Sequence, residues 1–230
     1  MGEGIGNEEA LMPFIDAANI ACGYHAGDEA TMEQVIRLCL QHDVYIGAHP
    51  SFPDRNNFGR TAMQLPAAEL YAIITRQLVT ISNIALQCNT SLHHVKPHGA
   101  LYNMAANDAA LAAVIVQAVK DFDDSLVYYG LSGSVMIKEA EAIGLRTASE
   151  VFADRTYQPG GSLTPRSATN ALLNDVREVV DQVMRFANEN KVITVTGEEI
   201  RLKADTVCVH GDGDHAIEFA RAIHQQLYEK

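Results

Sequence analysis

Four histidines stand at the ends of strand-like segments of this chain, each beside small residues. They are His25, His49, His98 and His210, and helical patterns follow these segments. Parallel-sheet folds carry their chemistry at the carboxyl ends of strands, so the pattern predicts one polar pocket built from distant parts of the chain. Imidazoles with nearby carboxylates either bind a divalent metal or act as acid and base around a polar substrate. Spacing does not decide between these chemistries, because the residues belong to different strands.

A lysine lies between two of the histidines of one segment. Strand alternation places His94, Lys96 and His98 on one face, and Pro97 indicates that the strand ends near it. These residues could be polar side chains of the core with satisfied hydrogen bonds. A buried lysine, however, requires a counter-charge or a bound anion. The row therefore favours a functional role, with Lys96 pointing into the pocket.

Aspartates accompany the histidines. Asp28 and Asp212 follow His25 and His210 closely, and each could either cap the next helix or bind substrate. Asp154 lies after a strand-like segment that ends near residue 152. It is a candidate catalytic, orienting or ligand carboxylate.

Two loops are rich in arginine. One carries Arg55 and Arg60 after His49, and the other carries Arg155 and Arg166. Exposed arginines usually have no specific role. Loops that leave strand ends nevertheless make recognition of a phosphate or a carboxylate plausible, because the guanidinium group binds such anions with two hydrogen bonds.

The elements that must position these residues alternate along the chain. Strand-like runs are predicted at 18–23, 44–50, 92–99, 125–130, 146–152 and 206–211. Apolar residues at helical spacing predict helices over 29–42 and 66–87, and further ones near 7–15, 111–119, 172–183 and 217–227. Repeated βα units predict a parallel sheet with helices outside, open or closed into a barrel. We expect one domain over residues 1–230, with a long loop at 153–167 and a β-hairpin insertion near 191–203.

Composition limits the classes of partner. The chain has 230 residues and a net charge of −12, from 17 basic and 29 acidic side chains. This balance argues against nucleic acid or an anionic membrane as the main partner. The four cysteines form no CxxC motif, and neither a signal peptide nor a membrane-spanning run is evident. We therefore expect a cytoplasmic protein with reduced thiols.

Taken together, these segments resemble the LamB/YcsF family over essentially the whole chain. The matching stretches are residues 18–28, 46–54, 93–103, 150–157 and 205–212. The resemblance implies an irregular seven-stranded β/α (TIM-like) barrel of the glycoside hydrolase/deacetylase type. It also implies ATP-dependent hydrolysis of 5-oxoproline to L-glutamate, with ADP and phosphate as the other products, together with separate B and C subunits.

The resemblance suggests a role for each candidate residue. ATP would be the co-substrate, with Mg²⁺ as the expected metal. The catalytic candidates are His25, His49, Lys96, His98, Asp154 and His210. The candidates for substrate or phosphate binding are Arg55, Arg60, Arg155, Arg166, Asp28 and Asp212. His25, His49 and His98 are also the candidate metal ligands.

Two alternatives remain at this point. The barrel relationship and the histidines also fit a metal-dependent deacetylase or carbohydrate hydrolase. The other alternative is a non-catalytic member of a multi-subunit enzyme, without catalytic residues of its own.

The start of the chain departs from the family pattern. Family members begin with a strand of the form Asp-x-Asn-x-Asp ahead of a Gly-Glu pair, whereas here Gly2 and Glu3 follow Met1 directly. We therefore expect a barrel that lacks its first strand and is open beside the strand ending at Gly23. Residues 1–6 are then expected to be irregular.

Overall fold

The chain folds into two compact units, as seen in a computed structural model that describes residues 1–228. The first unit comprises Met1–Gly130 and Ser134–Thr147. The second comprises residues 131–133 and the chain from Ala148 onward. Both units combine helices with parallel strands, which confirms the predicted α/β class.

The first unit is built around four parallel strands. They are β1 (Ala17–Ala21), β2 (Tyr45–His49), β3 (His94–Val95) and β4 (Val127–Leu131), whose last residue belongs to the second unit. Strand β2 pairs with β1 on one side and with β3 on the other, and β3 pairs with β4. This register places Gly47 opposite His94, so the strand ends that carry His49 and His98 are neighbours.

The helices of the first unit follow the spacing of apolar residues. They are α1 (Glu8–Leu11), α2 (Glu29–Gln41), α3 (Ala67–Gln87), α4 (Gly99–Ala105), α5 (Ala109–Phe122) and α6 (Val135–Ala142). Helix α2 buries Met32, Val35, Ile36 and Cys39, but Leu40, which belongs to the same apolar pattern, is 43% exposed. Each large apolar side chain that becomes fully buried contributes about 1.5–3 kcal/mol to the stability of the fold, relative to the same side chain in water. The helical ranges predicted from apolar spacing include neither α4 nor α6.

The first residues pair with the edge of β1. The Met1 nitrogen donates to the Asn19 carbonyl at 2.9 Å, and the Ala21 amide donates to the Met1 carbonyl at 3.0 Å. Residues 1–6 form neither helix nor strand, as expected. Because Met1 is held against β1, Glu3 lies beside the carboxyl end of this strand.

The second unit holds a parallel strand pair and two long helices. Strand β5 (Arg146–Phe152), whose first two residues belong to the first unit, pairs with β8 (Thr206–Cys208). Helices α7 (Val176–Glu189) and α8 (Ala216–Tyr228) share an apolar cluster that includes Val183 and Phe219. Strands β6 (Lys191–Ile193) and β7 (Glu199–Arg201) form an antiparallel hairpin.

Three predicted boundaries were wrong. The strand over 92–99 is reduced to β3, because Pro97 cannot donate to the ladder and α4 begins at Gly99. The helix expected from residue 172 begins at Val176, since the Asp175 carboxylate accepts hydrogen bonds from the amides of residues 177 and 178. The strand over 206–211 ends at Cys208.

The described residues contain six strands with parallel neighbours. The seven-stranded barrel of the family, and the expected opening of this chain's barrel beside the strand ending at Gly23, stay predictions. None of the helices within residues 1–228 is by itself long and apolar enough to cross a membrane. Helices α4 and α5 reach that length and composition only as a pair, and the chain bends by 117° between them.

Candidate functional site

The first unit brings three of the four histidines together. The rings of His25 and His98 stack with centroids 3.8 Å apart, and the His49 ring stands edge-on to both, at 5.7 Å and 4.8 Å. All three side chains are buried. Distant parts of the chain therefore build one cluster, which we call the histidine cluster (His25, His49 and His98).

Each of these histidines is placed at the end of an element. His49 is the last residue of β2, and His98 is the residue that precedes α4. His25 lies in the turn after β1, which a hydrogen bond from the Gly23 amide to the Ala26 carbonyl closes. The extended chain beyond β3 remains tied to β2, because the Lys96 and His98 amides donate to the carbonyls of residues 48 and 50.

Backbone carbonyls determine which ring nitrogen carries the proton in two of the rings. The Nδ1 atom of His49 lies 2.7 Å from the Lys96 carbonyl oxygen, and the Nε2 atom of His98 lies 2.8 Å from the Phe58 carbonyl oxygen. A carbonyl oxygen only accepts, so both of these nitrogens donate. The other nitrogens, His49 Nε2 and His98 Nδ1, face each other at 3.0 Å.

Glu3 completes the cluster, and sequence analysis missed it. Its Oε1 atom lies 3.1 Å from His25 Nε2 and 3.8 Å from His98 Nδ1. Glu3 precedes every predicted element, so no periodicity marked it as a site residue. Only its position in the Gly-Glu pair of the family pattern could have drawn attention to it.

Charge in this cluster is unevenly distributed. Burial and the neighbouring positive groups hold the pKa of His49 well below its usual range, and burial lowers the pKa of His98 to about 3. Burial opposes ionisation of Glu3, but the N-terminal ammonium and the hydrogen bond from His25 prevail and lower its pKa to about 2. At neutral pH, the neutral imidazoles of His49 and His98 therefore lie beside the Glu3 carboxylate.

A tight loop covers the cluster. Phe58 and Gly59 adopt left-handed backbone angles, with φ of 57° and 66°. A Cβ atom on Gly59 would stand 2.9 Å from His25 Cβ and from His98 Cδ2, so the loop approaches this closely only because residue 59 is glycine. Sequence analysis did not single out Gly59.

The two arginines of this loop differ in their contacts. Arg55 donates from Nη1 to the carbonyls of Gly23 and Gly27, at 3.0 Å and 2.9 Å, and thereby ties the loop to the turn that carries His25. Arg60 lies over the Phe58 ring, 4.9 Å from its centroid. The predicted anion-binding role of both residues stays a prediction.

Lys96 is buried, with 5 % of its surface exposed, and its ammonium lies 5.6 Å from the centroid of the Tyr102 ring. His94 is also buried, but it contacts Asn19 Oδ1 at 3.0 Å and stacks on Tyr129. A Cβ atom on Gly47 would overlap the His94 ring. Gly47, two residues before His49, thus makes room for His94.

The second unit contains its own polar pair. The Nδ1 atom of His210 lies 2.9 Å from both carboxylate oxygens of Asp154. Burial alone would raise the pKa of Asp154, but the hydrogen bond and charge of His210 hold it below its usual value. The ring of Phe152 stacks on His210 with centroids 5.4 Å apart.

The arginines of the second unit are placed differently from each other. Arg155 is buried and donates to the carbonyls of Ala171 and Thr164, at 3.3 Å and 2.5 Å. It therefore holds the long loop together. Arg166 is exposed, and its charge contributes to the low pKa of Asp154.

The two aspartates with alternative roles are also located. The Asp28 carboxylate accepts from the amide and the hydroxyl of Thr31, at 2.8 Å and 2.7 Å, so it caps α2. Asp212 is exposed and lies four residues before α8 begins. The expectation of one pocket for all four histidines extends over both units and stays a prediction.

The whole chain, residues 1–230, matches the model of the LamB/YcsF family. It is 51% identical to the A subunit of 5-oxoprolinase from Bordetella pertussis over 97% of this chain and 88% of that protein. It is 48% identical to the A subunit of 5-oxoprolinase from Staphylococcus haemolyticus, over 99% of this chain and 93% of the relative. The crystal structure of the lactam utilization protein from Thermus thermophilus is similar with a TM-score of 0.92 and 39% identity, covering 97% of this chain and 90% of the other.

Proposed function

Since the chain belongs to the LamB/YcsF family, we propose that it is the A subunit of an ATP-dependent 5-oxoprolinase, which opens the lactam of 5-oxoproline to give L-glutamate. One observation carries this proposal. Relatives that are named as the A subunit of 5-oxoprolinase match about half of all positions over nearly the full chain.

Opening of a lactam requires activation, because the amide carbon is a poor electrophile. In the proposed course the lactam oxygen attacks the γ-phosphorus of ATP, and ADP leaves. Water then adds to the activated carbon, the carbon–nitrogen bond breaks and the nitrogen takes a proton, which leaves an acyl phosphate. A second water releases phosphate, so that one ATP is hydrolysed for each lactam opened. Such a course uses cations for the phosphates, an acid and a base, and Mg²⁺ with the nucleotide.

The side chains of both units supply groups of these kinds. Lys96 and the loop arginines Arg55, Arg60, Arg155 and Arg166 are the cations that we assign to phosphate or carboxylate binding. The histidine cluster and the Asp154–His210 pair are the groups that we assign to proton transfer. Burial of Lys96 and of the cluster supports this assignment, because charge interactions strengthen where water is excluded.

A single assay tests the proposal. The chain is incubated with 5-oxoproline, with and without ATP and Mg²⁺, alone and with the B and C subunits, and glutamate and phosphate are measured. We expect the two products in equal amounts, and only when ATP is present. Glutamate without ATP, or phosphate release that is independent of 5-oxoproline, would contradict it.

The cluster of Glu3 with His49 and His98 favours a second candidate function, a metal-dependent hydrolase that needs no ATP. Three ligand atoms of this group lie within 4.8 Å of one another. Hydrolysis of an amide or ester that depends on a transition metal but not on ATP would support this second function. The assay run without ATP, in the presence and absence of added Zn²⁺, separates the two functions.

A further inference from the structure

The histidine cluster presents two nitrogen lone pairs to each other. His49 uses its Nδ1 proton for the Lys96 carbonyl, and His98 uses its Nε2 proton for the Phe58 carbonyl. In neutral rings the remaining nitrogens carry no hydrogen, yet they stand 3.0 Å apart. Oε1 of Glu3 adds a third electron-rich atom, 3.8 Å from His98 Nδ1. A cation among the three atoms would remove the repulsion between their lone pairs.

We propose that Glu3, His49 and His98 bind one divalent transition-metal ion of the zinc class. The three ligand atoms lie within 4.8 Å of one another, as ligands of one ion must. The outer contacts are an independent indication. Metal-bound histidines usually donate their second ring nitrogen to a backbone carbonyl or carboxylate, and both histidines here donate to carbonyls.

The chemistry of the ligands selects the ion. Imidazole with carboxylate suits zinc, cobalt, iron or manganese, whereas magnesium prefers oxygen ligands and keeps its waters. This site is therefore distinct from that of the magnesium that accompanies ATP. Three protein ligands also leave a coordination position open for water or substrate, as in catalytic zinc sites.

His25 is a positioning residue for this site. Its Nδ1 lies 3.0 Å from Ser51 Oγ. The ionised Glu3 carboxylate only accepts, so Nε2 is the donor to its Oε1 at 3.1 Å. The ring thus orients the carboxylate that completes the ligand set.

Metal titration of the full chain tests the proposal. Protein stripped with a chelator is titrated with Zn²⁺, Co²⁺ and Mg²⁺ separately, with a chromophoric competitor for Zn²⁺ and visible absorption for Co²⁺. We expect one equivalent of Zn²⁺, d–d absorption bands with Co²⁺ that Zn²⁺ removes, and no competition from Mg²⁺.

Three variants locate the ion. His49→Asn, His98→Asn and Glu3→Gln should each lower Zn²⁺ affinity by more than about 100-fold, because even outer partners of a ligand are worth about 10- to 100-fold. The exposed His42→Asn is the matched control and should bind as the parent does. Circular dichroism without metal checks folding, and Glu3→Gln keeps the test valid if a histidine variant unfolds, since Glu3 is only partly buried.

Two results would overturn the proposal. One is stoichiometric binding that Glu3→Gln and both histidine variants retain, which would place the ion elsewhere. The other is that the parent protein binds Zn²⁺ no more tightly than the three variants do. In that case a proton shared by His49 and His98 occupies the position, and nitrogen chemical shifts of the imidazoles would show one imidazolium. The proposal does not depend on the lactam being the substrate.

Discussion

The two units contain histidines that look alike in sequence but differ in their partners. In the first unit His49 and His98 donate to backbone carbonyls and turn their unprotonated nitrogens toward each other. In the second unit His210 donates Nδ1 to both oxygens of Asp154. The first arrangement carries the metal site that we propose. The second orients an imidazole whose Nε2 can exchange a proton, as in carboxylate–histidine pairs of hydrolases.

This comparison teaches that the outer partner of a histidine, not its position at a strand end, determines its chemistry. When one ring nitrogen donates to a backbone carbonyl, the other nitrogen of the neutral ring carries no proton and can bind a metal ion. A carboxylate partner at one ring nitrogen fixes the orientation and the tautomer of the imidazole. The variants below separate the two roles, and all turnover measurements use ATP, 5-oxoproline and the B and C subunits.

The largest effect is expected for His210→Asn. Loss of a positioned acid or base lowers rates by about 10²–10⁴-fold. Turnover should fall by this amount, while Zn²⁺ affinity in the first unit remains that of the parent. His215→Asn, an exposed histidine of the same unit, is the control and should retain activity. If His210→Asn abolished Zn²⁺ binding instead, the two histidine sites would not have separate roles.

Lys96→Met should have the next largest effect. The variant retains most of the side-chain length beside the Tyr102 ring and removes only the charge, so the fold should persist. Loss of a group that stabilises developing charge costs about 10²–10³-fold in kcat. Steady-state kinetics measure kcat, and a thermal melt measures stability. The matched control is Lys138→Met, at an exposed lysine.

Normal kcat in Lys96→Met, with the complex assembled, would remove Lys96 from the mechanism. It would also support the alternative in which this chain has no catalytic residues of its own. An unfolded variant would instead assign Lys96 a structural ion pair, and only Arg55 and Arg60 would then remain as the proposed anion-binding groups of the first unit.

Gly59→Ala tests how the loop closes over the histidine cluster. The new Cβ atom would stand 2.9 Å from two histidine side chains, and the backbone is left-handed there. Backbone strain and overpacking each lower the free energy of unfolding by about 1–3 kcal/mol. Gly197→Ala is the matched control, since its φ is 83° and nothing lies within 4 Å of the added atom. Denaturant unfolding should show a larger loss of stability for Gly59→Ala than for Gly197→Ala, and Gly59→Ala should also bind Zn²⁺ more weakly. Equal losses of stability in the two variants would mean that the loop moves to accommodate the methyl group.

Much of the fold was predictable, because apolar spacing predicts α2 and α3 and strand patterns predict β1 and β2. The candidate site was predictable in part. Histidines at strand ends pointed to the cluster, since parallel strands end at one edge of a sheet. What the sequence could not indicate depends on contacts between distant residues. Glu3 enters the site through pairing of Met1 with β1, and Gly47 is small because His94 packs across the strand pair.

The smallest effect is expected for Asp28→Ala, and it tests whether the turn after β1 binds substrate or only begins a helix. Asp28 caps α2 by accepting from the Thr31 amide, as Asp108 caps α5 by accepting from the Leu111 amide. Loss of such a cap costs about 1 kcal/mol. Asp28→Ala and Asp108→Ala should therefore lower the free energy of unfolding by similar amounts and leave kcat/KM unchanged. A fall in kcat/KM for Asp28→Ala alone would show that this carboxylate acts with His25 at the site, which would add substrate recognition to the metal binding that we propose for the first unit.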